Sequence, residues 1–150
     1  MVIEFARNVL GIENANSTEL NPSTPYPVVD LLPSQKGLDM MGGTMRLGLK
    51  RIMLVKGSRV YEAYGRDCIV ERHRHRYGVN TKFVDIFESG GFIVSGISCD
   101  DQDNVVEFME LKDHPFYIGT QAHPEFRSKP LDPSPIYVYY LKTVLKYKRS

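Results

Sequence analysis

The first ten residues constrain the fold most, because they form a short apolar segment at helical spacing. Five apolar residues recur at that spacing: Val2, Ile3, Ala6, Val9 and Leu10. Gly11 follows, where a left-handed residue would end a helix. An apolar helix of this kind is stable only when another element covers it, and a sheet is the usual cover. The chain therefore opens inside or at a helix, although nothing upstream supplies a sheet to cover it.

Short apolar runs alternate with turn residues along the rest of the chain. The runs favour strands at 28–32, 44–55, 71–77, 92–97, 105–111 and 116–121. Helical spacing favours helices at 58–64, 82–88 and 134–145. The segment 14–27 is rich in Asn, Ser, Thr and Pro, which predicts a loop. The 150 residues fit one domain, 1–150.

The charge balance excludes partners that depend on a global field. There are 19 Lys and Arg against 18 Asp and Glu, so we expect no nucleic acid and no anionic membrane as partner. No apolar run approaches the roughly 18 residues of a transmembrane helix. Only two cysteines are present, Cys68 and Cys99, and isolated thiols suit a reducing compartment. We expect a cytoplasmic protein.

The sharpest local motif is His123-Pro124-Glu125, which directly follows an apolar run. A histidine at a strand end, with a carboxylate two residues on, can serve as the base and the orienting group for a nucleophile. The alternative is a histidine in a turn that only hydrogen-bonds its neighbour. These three residues alone leave both interpretations open.

Four strings together resemble one known family. They are Asn14-Ala15-Asn16-Ser17-Thr18-Glu19, Gly42-Gly43-Thr44-Met45-Arg46-Leu47-Gly48, Glu71-Arg72-His73-Arg74-His75-Arg76-Tyr77 and Gln121-Ala122-His123-Pro124-Glu125-Phe126. In this order they resemble the C-terminal part of the class I glutamine amidotransferase domain of CTP synthases, and the resemblance covers essentially the whole chain. It implies a flavodoxin-like α/β fold, with a central, mostly parallel sheet and flanking helices, that is open at one edge because its N-terminal strands are missing.

The resemblance also implies an activity and its residues. A cysteine on a strand-to-helix elbow attacks glutamine, and the ammonia passes to a synthetase domain that converts UTP to CTP with ATP and Mg, with GTP as activator. His123 and Glu125 match the catalytic pair. Glu19 matches the residue that holds the ammonium group of glutamine, and Arg76 the residue near its α-carboxylate. Thr44 and Arg46 match effector contacts to GTP. The implied partners are the synthetase domain or CTP synthase subunits, which form a tetramer in the family.

The sequence departs from the family where the nucleophile should be. Neither Cys68 nor Cys99 has the flanking glycines of a Gly-x-Cys-x-Gly elbow. The resemblance places the start of the chain just after that elbow, so we expect the elbow and the synthetase domain to be absent, with no cofactor in this chain. We expect the isolated chain to be inactive. Ala122 and Gly78 stand where the family usually has an aromatic and an acidic residue.

Other functions stay open at this point. A non-catalytic protein could bind CTP synthase subunits or glutamine and regulate assembly, and an independent hydrolase could use Cys68 or Cys99. Extended geometry would place Arg72, Arg74 and Arg76 on one face, where they could bind phosphate or RNA, although the charge balance disfavours this. His73 and His75 could ligate a metal only if two more ligands converged, so we expect no metal.

Overall fold

The structure is a computed structural model that describes residues 1–35, 45–101 and 104–148. These residues form an α/β fold of eight strands and four α-helices. In chain order the strands are β1 (Ala15–Ser17), β2 (Tyr26–Leu31), β3 (Arg46–Leu54), β4 (Cys68–His75), β5 (Tyr77–Val79), β6 (Phe92–Ser98), β7 (Val106–Leu111) and β8 (Ile118–Thr120). The helices are α1 (Val2–Asn8), α2 (Arg59–Tyr64), α3 (Val84–Ser89) and α4 (Pro135–Lys148).

The strands form two sheets. The smaller sheet has the order β1-β2-β5, and the larger has the order β4-β3-β6-β7-β8. In the described part of the chain, β1 and β2 are the only parallel pair, which differs from the mostly parallel sheet that the family resemblance implies. The connections from β6 to β7 and from β7 to β8 are too short for a crossover helix, so these neighbours pair antiparallel.

Two hydrophobic clusters hold the helices against the sheets. The first joins α1 and α3 to both sheets and contains Phe5, Ala6, Ala15, Val28, Phe87, Phe92, Val106 and Met109. The second lies under α2 and contains Ile52, Leu54, Val60, Ile69, Phe108 and Ala122. The apolar helix at the start of the chain is therefore confirmed, and both sheets contribute to its cover.

α2 begins and ends where the sequence predicts, whereas α1 ends at Asn8 with Val9 as its C-cap residue, before Gly11. Gly11 and Gly65 both adopt a positive φ, of 70° and 65°. Ser58 begins α2 by accepting a hydrogen bond from the Tyr61 amide at 3.0 Å. At both ends of α2 the local sequence therefore determines the boundary.

The interpretation of 14–27 as one loop is wrong. Ala15–Ser17 forms β1, which pairs with β2, and β2 begins at Tyr26. Ala15 is fully buried beneath α1, so burial overrides the turn-forming preference of the surrounding residues. The predicted strand at 116–121 is shorter than expected, because β8 covers only Ile118–Thr120.

Candidate functional site

His123 and Glu125 form a hydrogen-bonded pair beyond the end of β8. Glu125 lies in a 3-10 turn, Pro124–Phe126, and its Oε1 is 2.6 Å from His123 Nδ1. The two side chains are 36% and 50% exposed, and the Phe126 ring stacks on the imidazole at a centroid distance of 5.0 Å. With Nδ1 bound to the carboxylate, Nε2 is the nitrogen that can exchange a proton with a nucleophile. This is the geometry of a base held by an orienting acid.

The edge strand β4 holds this loop in place. The His123 amide donates to the Arg72 carbonyl at 2.9 Å, and the Arg127 guanidinium donates to the Val70 carbonyl. These carbonyls belong to the free edge of β4, whose other edge pairs with β3. The loop with His123 and Glu125 is therefore fixed by backbone groups about 50 residues earlier in the chain.

Gln121 connects the same loop to both sheets. Its amide donates to the Glu107 carbonyl in β7 at 2.8 Å, and its side-chain Nε2 donates to the Tyr77 carbonyl in β5 at 2.8 Å. The loop thus crosses between the sheets before it reaches His123.

The surroundings of Glu125 shift its pKa and the pKa of the nearby Tyr137. Desolvation acts to raise the pKa of Glu125, but the hydrogen bond from His123, a backbone hydrogen bond, the charge of His123 and a hydrogen bond from Tyr137 together leave that pKa below its ordinary value. The pKa of Tyr137, in α4, is raised by burial and by the neighbouring Glu125 carboxylate. Glu125 is therefore an anion at neutral pH, as an orienting carboxylate must be.

The two predicted glutamine-binding residues, Glu19 and Arg76, lie on either side of β2 in the smaller sheet. Glu19 is exposed in the turn after β1, whose neighbouring Thr18 amide donates to the Val29 carbonyl of β2. Arg76 is half-buried in the bend between β4 and β5, and its carbonyl accepts from the Leu32 amide. Arg76 Nε is buried without a hydrogen-bond partner in the described residues, which leaves a donor for a ligand. No hydrogen bond within the described residues joins either side chain to His123, so their roles stay predictions.

The two predicted effector residues differ in what the structure shows. Thr44 lies outside the described residues. Arg46 is 5% exposed, and its guanidinium contacts Asp101, Glu107 and Ser98. In this conformation Arg46 is a buried structural cation with little surface for a nucleotide, and a GTP contact by either residue remains a prediction.

The basic string around Arg76 does not form one continuous face. Arg72 and Arg74 are exposed on β4, but the strand ends at His75, so Arg76 is not aligned with them. His73 is buried, and its Nε2 lies 2.7 Å from Glu107 Oε2. The described residues contain no group of three or more His, Cys, Asp and Glu side chains that could hold a metal ion. Arg76 does not extend the exposed basic face of Arg72 and Arg74.

The cysteines lack the setting of a nucleophile. Cys68 begins β4 and Cys99 follows β6, and both are exposed. Burial raises the pKa of Cys99, which is opposite to the lowering that an activated thiol needs. Neither sulfur is hydrogen-bonded to an imidazole in the described residues.

The two departures from the family are both buried. Ala122 is 6% exposed and packs in the second hydrophobic cluster. A Cβ atom at Gly78 would lie 2.7 Å from Leu32 Cδ2, so a larger residue there requires Leu32 to move.

With this geometry in place, comparison with known proteins decides the family. The family model for class-I glutamine amidotransferases matches residues 1–143. The chain belongs to the class-I glutamine amidotransferases. Sequences similar to this amidotransferase chain include the CTP synthases of Saccharolobus solfataricus, 52% identical over 95% of this chain, and Caldanaerobacter subterraneus subsp. tengcongensis, 49% identical over 98%. The family resemblance seen in the sequence is thereby confirmed.

A solved structure supports the same assignment for this amidotransferase. The Trypanosoma brucei CTPS glutaminase domain with bound acivicin has a TM-score of 0.87 and 34% identity, and the match covers 97% of this chain and 56% of that chain. The amidotransferase chain spans only 26% of the length of the Saccharolobus solfataricus relative and 27% of the Caldanaerobacter subterraneus subsp. tengcongensis relative. It thus corresponds to the glutaminase part of CTP synthases. No helix in the described residues is long and apolar enough to cross a membrane.

Proposed function

We propose that this chain supplies the base and orienting acid of a glutamine-hydrolysing site, whose ammonia is used by a synthetase domain to aminate UTP to CTP with ATP. The hydrogen bond between His123 Nδ1 and Glu125 Oε1, at 2.6 Å, carries the proposal. It fixes the tautomer that leaves Nε2 able to take a proton from a thiol and return it to the leaving amine.

Glutamine binding in this proposal uses opposite charges on either side of its α-carbon. Glu19 accepts the ammonium group and Arg76 binds the α-carboxylate, since a zwitterion is selected best by one anion and one cation. In this proposal ATP and Mg bind outside these residues, and GTP activates the enzyme. The partners are the synthetase domain or the subunits of a tetramer.

The test joins residues 1–150 to the upstream part of the Saccharolobus solfataricus CTP synthase, replacing the segment that aligns with this chain. We expect the chimaera to form CTP with glutamine. His123→Asn should lower the glutamine-supported rate by roughly 10²–10⁴-fold, because a general base is lost. The ammonium-supported rate should stay unchanged, since added ammonia does not need this site.

An equal loss of both rates would contradict the proposed role, because His123 would then be needed for folding or for the synthetase reaction. Glutamine hydrolysis by the 150-residue chain alone would instead support the independent hydrolase, and Cys68→Ser and Cys99→Ser would identify its nucleophile. A chain that binds CTP synthase subunits but cannot replace their glutaminase segment would support the regulatory alternative.

A further inference from the structure

A small polar cavity lies between β4, the segment that follows the 3-10 turn Pro124–Phe126, and the start of α4. Its volume is about 210 Å³, several times the roughly 30 Å³ of one water molecule. Its lining includes Tyr64, Glu71, Ser134 and two arginines, Arg66 and Arg127. His123 and Glu125 do not line it, so the cavity is separate from the proposed catalytic pair.

Two buried polar atoms in this lining have no hydrogen-bond partner. Glu71 is 4% exposed; its Oε1 accepts from the Tyr64 hydroxyl at 2.9 Å, whereas its Oε2 is unpaired. Ser134 is 5% exposed, and its Oγ makes no hydrogen bond of normal geometry, although it lies near enough to the Tyr64 hydroxyl to oppose the rise in the pKa of Tyr64. A buried polar atom without a partner costs about 1–3 kcal/mol, so two in one cavity indicate a place for a molecule that donates hydrogen bonds.

Ser134 has a further peculiarity. It directly precedes α4, and its carbonyl accepts from the Tyr137 amide at 3.0 Å. A serine in this position usually caps the helix with its hydroxyl. Here the hydroxyl makes no cap, which leaves it available to a ligand in the cavity.

The charges of the lining favour a ligand with both signs. Burial raises the pKa of Glu71, so a cationic group beside Oε2 would stabilise its ionised form. The lining carries two exposed arginines, Arg66 and Arg127, against two carboxylates, Glu71 and Asp132, so neither a free cation nor a free anion is favoured over a zwitterion. Arg127 already donates to the Val70 carbonyl, whereas the Arg66 side chain makes no ion pair or hydrogen bond within the described residues.

We propose that this cavity binds the zwitterionic head of a small α-amino acid, with its ammonium group on Glu71 Oε2 and Ser134 Oγ and its carboxylate on Arg66. The site is additional to the glutamine site at Glu19 and Arg76. It does not depend on hydrolysis, because its polar groups are not those of the catalytic pair.

The test is a titration of the ¹⁵N-labelled 150-residue chain followed by NMR. Glycine is the probe, because it is the smallest amino-acid zwitterion. Glycinamide lacks the carboxylate, and N-acetylglycine lacks the ammonium group. We expect glycine to shift the amides of Glu71, Arg66 and Ser134 with saturation at millimolar concentration, and both analogues to bind at least about 10-fold more weakly.

Three variants assign the contacts. Glu71→Gln should weaken glycine binding by about 10-fold or more, because a charge-assisted hydrogen bond is lost. Arg66→Gln, on the exposed rim, should weaken glycine by a few fold and leave glycinamide unchanged. The control, Glu13→Gln, replaces an exposed carboxylate far along the chain from this lining and should change neither.

Several outcomes would overturn the proposal. One is the absence of saturable shifts up to about 50 mM glycine, which would mean that water alone fills the cavity. Another is that ammonium chloride reproduces the glycine shifts, which would reduce the cavity to a cation site. Neither outcome would affect the proposed glutaminase role, which the chimaera tests separately.

Discussion

Two histidines in this chain show how surroundings decide what an imidazole can do. His123 is partly exposed and bound to a carboxylate, as a base requires. His75 is half-buried, and its Nε2 lies 3.3 Å from Arg46 Nη1. Burial, followed by the charge of Arg46, lowers the pKa of His75 to about 3. His75 is therefore a neutral acceptor of the arginine hydrogen bond and not a second base.

Acid should destabilise the fold through His75. Its folded-state pKa of about 3 lies below the ordinary 6.5, so the unfolded state binds the proton more readily. Stability is then fully present above pH 6.5 and falls as the pH approaches 3. We expect a loss of about 2–3 kcal/mol between pH 6.5 and 4.5, measured by urea unfolding. His75→Gln should remove most of this dependence, and an unchanged slope would refute the assignment.

The lowered pKa of Glu125 should depend on His123. In the 150-residue chain, a ¹³C NMR pH titration should place the pKa of Glu125 below its ordinary 4.5. His123→Asn should raise it, because the hydrogen bond from the imidazole is lost. Tyr137→Phe should raise it less, since the hydrogen bond from the tyrosine lowers this pKa less than the hydrogen bond from His123 does. If His123→Asn left the pKa of Glu125 unmoved, the pair would not be hydrogen-bonded in solution.

At the scale of elements, α2 depends on a residue that its own sequence cannot reveal. Ser58 caps the helix locally, but Glu110, 1% exposed in β7, accepts from the Arg59 amide at 2.9 Å and from the Val60 amide at 3.2 Å. A buried carboxylate at a helix N-terminus satisfies unpaired amides and interacts favourably with the helix dipole. α2 is thereby joined to the larger sheet.

Removing the charge of Glu110 should therefore cost more than removing the local cap. We expect Glu110→Gln to lower the free energy of unfolding by about 2–3 kcal/mol, and Ser58→Ala by about 1 kcal/mol. Urea unfolding at neutral pH measures both. Glu13→Gln, at an exposed position, serves as the control and should change little. Equal effects of Glu110→Gln and Glu13→Gln would show that the contacts of Glu110 contribute nothing.

The sequence predicts local structure well where one short segment decides it. The boundaries of α2 follow from Ser58 and Gly65, and the pairing of His123 with Glu125 follows from their spacing of two residues. The pairing of β3 with β6 and the cap from Glu110 could not be predicted, because both depend on residues about 50 positions apart. The local sequence does not predict β1 for a related reason. Ala15 lies in a strand because it is buried beneath α1, and the polar residues around it favour a loop.

A buried cluster of Arg46, Glu107, His73 and Asp101 connects several strands near the candidate site. Arg46 Nη2 lies 2.5 Å from Glu107 Oε1, and the other oxygen of Glu107 contacts His73. Arg46 also binds Asp101, which follows β6. One cluster therefore links β3, β4 and β7 with the segment after β6, beneath the strand edge that holds His123.

Breaking this cluster should be costly, and its members should not act independently. We expect Glu107→Gln to destabilise the chain by about 3 kcal/mol, because it leaves Arg46 buried with less compensating charge. The double variant Arg46→Met with Glu107→Gln should lose less than the sum of the single variants, by about 0.5–3 kcal/mol. Urea unfolding of the four proteins measures this coupling, and strict additivity would contradict it.

The same cluster has a consequence for behaviour on heating. The hydration of charged groups becomes less favourable as temperature rises, so the cost of keeping Arg46 and Glu107 away from water falls. The attraction between them, at 2.5 Å and almost without solvent, does not weaken to the same degree. The share of the folding free energy that this cluster supplies therefore grows on heating. The strand edge beneath His123 should then stay folded at temperatures where exposed ion pairs and loops have already loosened.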